Sequence, residues 1–113
     1  MVYICSPFSG DMEANRQKAI DYCRYALECG VTPVAPHLLF PQFLDDTVPA
    51  ERELGMKMGL ELLDNCSELW VMGDTVSNGM QAEIEYAEQN NIPVEYYSAA
   101  DMEETINQME VCL

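Results

Sequence analysis

Short apolar blocks alternate with longer stretches of helical periodicity along the whole chain, and few folds accommodate that order. Val2 to Cys5, Val31 to Ala35, Leu69 to Met72 and Pro93 to Tyr97 read as strands. Between and after them, helices are predicted over Met12 to Cys29, Ala50 to Asn65, Gly79 to about Asn90, and Ala99 to Met109. The resulting β-α-β-α-β-α-β-α order predicts an α/β protein: a parallel sheet of about four to five strands with helices on both faces. Such sheets bind ligands beyond the carboxyl ends of their strands, where strand order reverses. Three segments leave those ends: residues 6–11, 36–48 and 74–79.

Helix limits follow from local chemistry. Gly30 ends the first helix, Pro49 suits the start of the second, and Asn91 suits a left-handed cap after the third. Periodicity places Ala19, Ile20, Cys23, Ala26 and Leu27 on the inner face of the first helix, and Leu54, Met58, Leu62 and Leu63 on that of the second. Gly55 and Gly59, one turn apart, suggest a close helix contact, read here as one between subunits. The 113 residues are read as one domain, 1–113, long enough to bury roughly two-thirds of the unfolded chain's surface.

Charge narrows the partners. Twenty acids face five bases, a net charge of −15, so a nucleic-acid polymer would be repelled. All the bases (Arg16, Lys18, Arg24, Arg52 and Lys57) lie in the first half. No apolar run approaches the roughly 20 residues of a membrane span. The N-terminus passes into a strand without a basic leader, so a cytoplasmic location is expected. Five cysteines form no C-x-x-C pair and His37 stands alone; no metal, no cofactor and reduced thiols are expected.

The stretch with most chemistry is Asp74-Thr75-Val76-Ser77-Asn78-Gly79-Met80-Gln81-Ala82-Glu83. At about 100° per residue, Met80, Ile84 and Ala87 cluster on one side of this helix, while Gln81, Glu85 and Glu88 share the other. Glu83 falls within the apolar sector. An acid near a helix N-terminus is favoured by the dipole alone, but that leaves its inward direction unexplained. The other reading is a reactive carboxylate at a pocket mouth, kept ionised by the dipole.

The remaining candidates each carry two readings. Ser77, Asn78 and Gly79 make a helix cap, with Asn78 and Gln81 spaced as a capping box, and equally an anion cradle together with Met80. Tyr3 is a core aromatic or a donor orienting Glu83. Ser6, Pro7, Phe8 and Ser9 lack both the dinucleotide and the Walker signatures; Phe8 either stacks on a base or packs a turn. Arg16 is an exposed helix arginine or reaches that loop. His37 is structural, or belongs to a lid formed by residues 36–48. Glu61 and Asp64 face solvent by default, or the site.

These pieces resemble the nucleoside 2-deoxyribosyltransferase superfamily, and within it the small DUF4406-type proteins. The resemblance rests on Val2-Tyr3-Ile4-Cys5-Ser6-Pro7-Phe8, on Gly30 to Pro36, on Cys66-Ser67-Glu68-Leu69-Trp70-Val71-Met72-Gly73, and above all on Ser77-x-Gly79-Met80-x-x-Glu83-Ile84-x-x-Ala87. It implies a flavodoxin-like, Rossmann-like fold and chemistry at an N-glycosidic bond. It also implies that Glu83 is the nucleophile, that Tyr3 orients it, and that Ser77 and Gly79 lie where related hydrolases hold a 5′-phosphate. At the spacing of the family's usual aspartate this chain has Leu60, with Glu61 the nearest acid, and Ser9 stands where those hydrolases carry a base.

The expected substrate is therefore a 2-deoxynucleoside or its 5′-monophosphate, cleaved through a glycosyl ester on Glu83 with transfer to water or a second base. A non-catalytic nucleotide or nucleotide-sugar sensor is the alternative. A further possibility is an N-glycosidase for ribonucleotides or a dinucleotide. The resemblance also implies a homo-oligomer.

Overall fold

A computed structural model describes residues 1–103. Its four strands are β1 (Val2–Cys5), β2 (Pro33–Val34), β3 (Glu68–Met72) and β4 (Val94–Tyr97). Its principal helices are α1 (Met12–Glu28), α2 (Pro36–Leu39), α3 (Pro49–Asp64) and α4 (Asn78–Gln89). All strand pairs are parallel, in the order β2-β1-β3-β4. The chain thus moves outward from β1 to β2, then crosses to the other side of β1 for β3. The switch point lies between β1 and β3. The closing helix is seen from Ala99 to Glu103; its expected continuation to Met109 lies outside the described residues.

Alternation along the two central strands divides the core between the sheet's faces. Val2, Ile4, Trp70 and Met72 pack with Tyr25, Ala26 and Met102 on one face. Tyr3, Cys5, Leu69 and Val71 pack with Leu63, Met80, Ile84 and Ala87 on the other. Strands β1 and β3 are buried on both sides, which is why they read as unbroken apolar runs.

Two helical faces differ from the expected ones. In α1, Ala19 and Ala26 are buried as expected, but Ile20 and Leu27 are exposed and Tyr25 is buried. The helix is rolled so that Tyr25 meets Trp70 and Tyr97, with ring centroids 6.4 and 5.6 Å away. Those aromatics cover more apolar area than an isoleucine and a leucine would. In α3, Leu63 is buried but Leu54 is exposed. Gly55, Gly59 and Leu63 share the inward stripe instead. A Cβ on Gly55 would stand 3.5 Å from a Leu44 methyl, and one on Gly59 3.5 Å from the Tyr3 hydroxyl. The glycine pair therefore faces Leu44 and Tyr3 of its own chain, at distances where a Cβ would make ordinary van der Waals contact.

Strand β2 is shorter than expected, with Pro33 and Val34 paired to Val2 and Tyr3. Proline removes a ladder donor, which suits this edge position. Residues 36–48, one of the three segments leaving the strands' carboxyl ends, contain α2 and a 3₁₀ turn at Phe40–Gln42. Asn91 has φ 58°, the left-handed cap its sequence predicts. Among the described residues no helix is long and apolar enough to cross a membrane.

Candidate functional site

Glu83 is carried by α4, which follows the carboxyl end of β3 after the five-residue loop 73–77. Met80, Ile84 and Ala87 bury the same face of the helix, so Glu83 turns toward the sheet and becomes half-buried. It lands over β1, where the Tyr3 hydroxyl donates to its Oε2. The Cys5 thiol lies 3.8 Å from its Oε1 and donates there. Tyr3 and Cys5 are two apart on one strand, so both point to the same face.

The electrostatics differ from the sequence expectation. Burial pushes the Glu83 carboxyl up to about 7, against the pull of its bonds from Tyr3 and Cys5. At neutral pH the group is thus divided between acid and carboxylate, whereas the dipole reading had it fully ionised. Desolvation outweighs the helix terminus, whose influence fades within the first turn. Burial, and then the neighbouring Glu83 charge, raise the Tyr3 hydroxyl and the Cys5 thiol far above their ordinary ranges. Both keep their protons and remain donors.

The helix cap is Ser77, where the Asn78–Gln81 spacing had suggested Asn78. The Ser77 hydroxyl accepts from the Met80 amide at 3.3 Å, and its own amide approaches the Met80 sulfur at 3.5 Å. Asn78 and Gly79 are exposed in the first turn. Ser77 wins because its short side chain reaches back to the third helical amide.

In the first loop, Ser6 is buried, Pro7 and Phe8 are half-buried and Ser9 is exposed. Phe8 stacks on His37, with centroids 5.1 Å apart and ring planes 15° apart. Burial pushes His37 below its usual range, opposed by Asp46, so it is neutral near pH 7. Beside this stack lies a groove of about 510 Å³, floored by Phe8, Met12, Phe43 and Leu44 and edged by Asp46 and Glu51. Glu83 is not in its lining. The β1–α1 segment joins the two features, with Cys5 at the carboxylate and Phe8 at the groove.

Two expected neighbours are elsewhere. Arg16 is exposed and pairs with Glu13 at 3.7 Å, turned along α1 instead of into the first loop. Glu61 is exposed, and the α3 residue that meets Tyr3 is Gly59. Asp64 instead accepts the Tyr86 hydroxyl at 2.8 Å. Among the described residues no group of three or more His, Cys, Asp or Glu is placed to hold a metal ion.

Asn15 and Cys5 are the participants that sequence reasoning missed. The Asn15 amide donates to the carbonyls of Phe8 and Ser9 at 3.2 and 2.9 Å, so it fixes the loop that Arg16 was expected to reach. Asn15→Ala should raise cleavage of residues 8–10 by a nonspecific protease about tenfold, as expected for two partly exposed hydrogen bonds of about 1 kcal/mol each. Arg16→Ala should leave it unchanged. Limited proteolysis read by mass spectrometry checks both. For Cys5 a signal existed: a residue two from Tyr3 on a strand must share its face.

A four-stranded parallel sheet in this order, with an inward carboxylate at its switch point, defines a flavodoxin-like α/β protein with the nucleoside deoxyribosyltransferase fold. The chain belongs to the family described as "Domain of unknown function (DUF7768)", matched over residues 1–97. The family model that matches is this one, where a DUF4406-type protein had been expected. Similar solved structures include the 2-deoxyribosyltransferase of the psychrotolerant bacterium Bacillus psychrosaccharolyticus, with a TM-score of 0.71. The two are 18% identical, and the match covers 86% of this chain and 71% of that one. At that identity the likeness is one of fold. No curated protein sequence matches this chain.

Proposed function

We propose that this protein cleaves or transfers the N-glycosidic bond of a 2-deoxynucleoside through a covalent ester on Glu83. One observation carries the reading: a half-buried carboxylate at the switch point, turned inward, with a protonated tyrosine as its donor. A solvated surface acid would have neither the burial nor the aromatic partner. Nucleoside chemistry is supported by the fold shared with the Bacillus psychrosaccharolyticus enzyme.

In this mechanism a Glu83 oxygen forms a bond to the anomeric carbon as the carbon–nitrogen bond breaks onto the base. The departing base takes a proton from a water molecule, and the hydroxide left behind is neutralised by the proton released when the ester is resolved. Tyr3 holds the other carboxylate oxygen, and the ionised fraction of Glu83 stabilises the developing oxocarbenium ion in a site poor in water. Water then attacks the ester, releasing the sugar and a proton and restoring the carboxylate; a second base in place of water gives transfer. The Phe8–His37 stack and the groove beside it offer flat apolar surfaces to a base.

The positions of the cations favour the neutral nucleoside over its monophosphate. Arg16 pairs with Glu13, Arg24 with Glu28, and Arg52 with Asp46 at 4.0 Å. Lys18 and Lys57 are exposed on α1 and α3. A phosphate would thus enter a protein of charge −15 whose three arginines are already paired with acids.

The exposure of Glu61 favours one other reading, a sensor that binds the nucleoside without cleaving it, because among the described residues no second carboxylate is seen beside Glu83 to aid the leaving base. Incubation with the four 2-deoxynucleosides and their 5′-monophosphates decides between them. Release of free base from nucleosides, with little from the monophosphates, is the expected outcome. A rise in melting temperature with no base released would replace the glycosidase reading with the sensor.

A further inference from the structure

We propose that Cys5 is a positioning residue for Glu83, its thiol holding Oε1 as the attacking oxygen while Tyr3 holds Oε2. The proposal rests on the glycosidase reading for its catalytic consequence, but its geometry stands without it. The two carboxylate oxygens are not equivalent: Oε2 takes the phenolic proton and Oε1 the thiol proton. A thiol is the weaker donor, so Oε1 is the oxygen more easily freed to form a new bond.

Cys5 also has somewhere else to put its proton. Its sulfur lies 3.8 Å from the Met80 carbonyl oxygen as well as 3.8 Å from Glu83 Oε1. One thiol proton cannot serve both acceptors fully at once. A carbonyl oxygen has two lone pairs, so that of Met80 receives the thiol without giving up its helical bond. When Oε1 bonds to the sugar carbon, the thiol turns to Met80 and no buried donor is stranded. Tyr3 remains on Oε2, which becomes the carbonyl oxygen of the ester. Buried hydroxyls in both positions would grip both oxygens and make either one harder to release.

The titratable groups facing this carboxylate are Tyr3 and Cys5 from β1, with Cys66 beside Tyr3; α3 contributes Gly59, which carries no charge. The thiol's effect can therefore be read on Glu83 directly, by carbon NMR of glutamate-labelled protein with the signal assigned through Glu83→Gln. Cys5→Val keeps the bulk and removes the donor; Cys5→Ser restores one. The Glu83 midpoint should rise by about half a pH unit in Cys5→Val and return to the wild-type value or below in Cys5→Ser. Turnover at neutral pH should fall about three- to tenfold in Cys5→Val, in kcat more than in KM, and be partly rescued by serine.

Midpoints that move together in both variants, or not at all, overturn the proposal. Should Cys5→Val fail to fold, the S–H stretching band of the wild-type protein decides instead. The band should shift as Glu83 titrates and stay fixed in Glu83→Gln; a band that ignores the titration overturns the proposal. Absence of turnover in every form would remove the glycosidase reading but leave the titration result to judge Cys5.

Discussion

Glu83→Gln should lower base release by on the order of a thousandfold or more while leaving nucleoside affinity within about threefold of wild type. Glutamine fills the same space and still accepts the Tyr3 hydroxyl, so the surroundings of residue 83 keep their shape and lose only the nucleophile. In the wild-type protein the rate should climb with pH through about 7, since burial holds the Glu83 proton to that point and only the carboxylate attacks. Single-turnover assays from pH 5 to 8.5, with isothermal titration for affinity, measure both effects. Base release by the variant within tenfold of wild type would show that another group carries the reaction. An undiminished rate at pH 5 would show that the carboxylate is not the reactive form.

Sequence alone conveyed the alternation of strands and helices because β1 and β3 are buried on both faces and so appear as apolar blocks. It also gave the inward direction of Glu83, since Met80, Ile84 and Ala87 define the helix face and the acid lies among them. The helix rolls were not legible. Ile20 and Tyr25 are both plausible inward residues by periodicity, and the choice was made by Trp70 and Tyr97, which are distant in sequence and meet Tyr25 only in the folded chain. Gly55 and Gly59 announced a close contact without naming the partner, because Tyr3 and Leu44 reach them from other elements. The protonation of Glu83 was hidden for the same reason. Dipole and capping effects are local and readable, whereas desolvation is a sum over everything packed around the group.

Desolvation of Glu83 should also be visible in stability. Its carboxyl titrates near 4.5 in the unfolded chain and about 7 in the folded one, so between those values the folded state retains a proton the unfolded state has released. Stability then falls as pH rises across the window and levels off above it. Glu83→Gln carries no such group. The variant and wild type should melt within a degree or two of each other at pH 4.5, with the variant pulling ahead as pH increases. Full linkage over the interval would be about 3 kcal/mol; with the site only half-buried, about 2 kcal/mol is expected at pH 8, or roughly 10 °C in Tm for a chain of this size. The other nineteen acids contribute alike to both proteins and cancel in the difference. Parallel curves from pH 4.5 to 8 would show Glu83 fully solvated and would remove the electrostatic basis of its reactivity. A widening gap would mean that the protein keeps, at a cost to its own fold, an acid that glutamine could replace, which is the expected mark of a group retained for its charge.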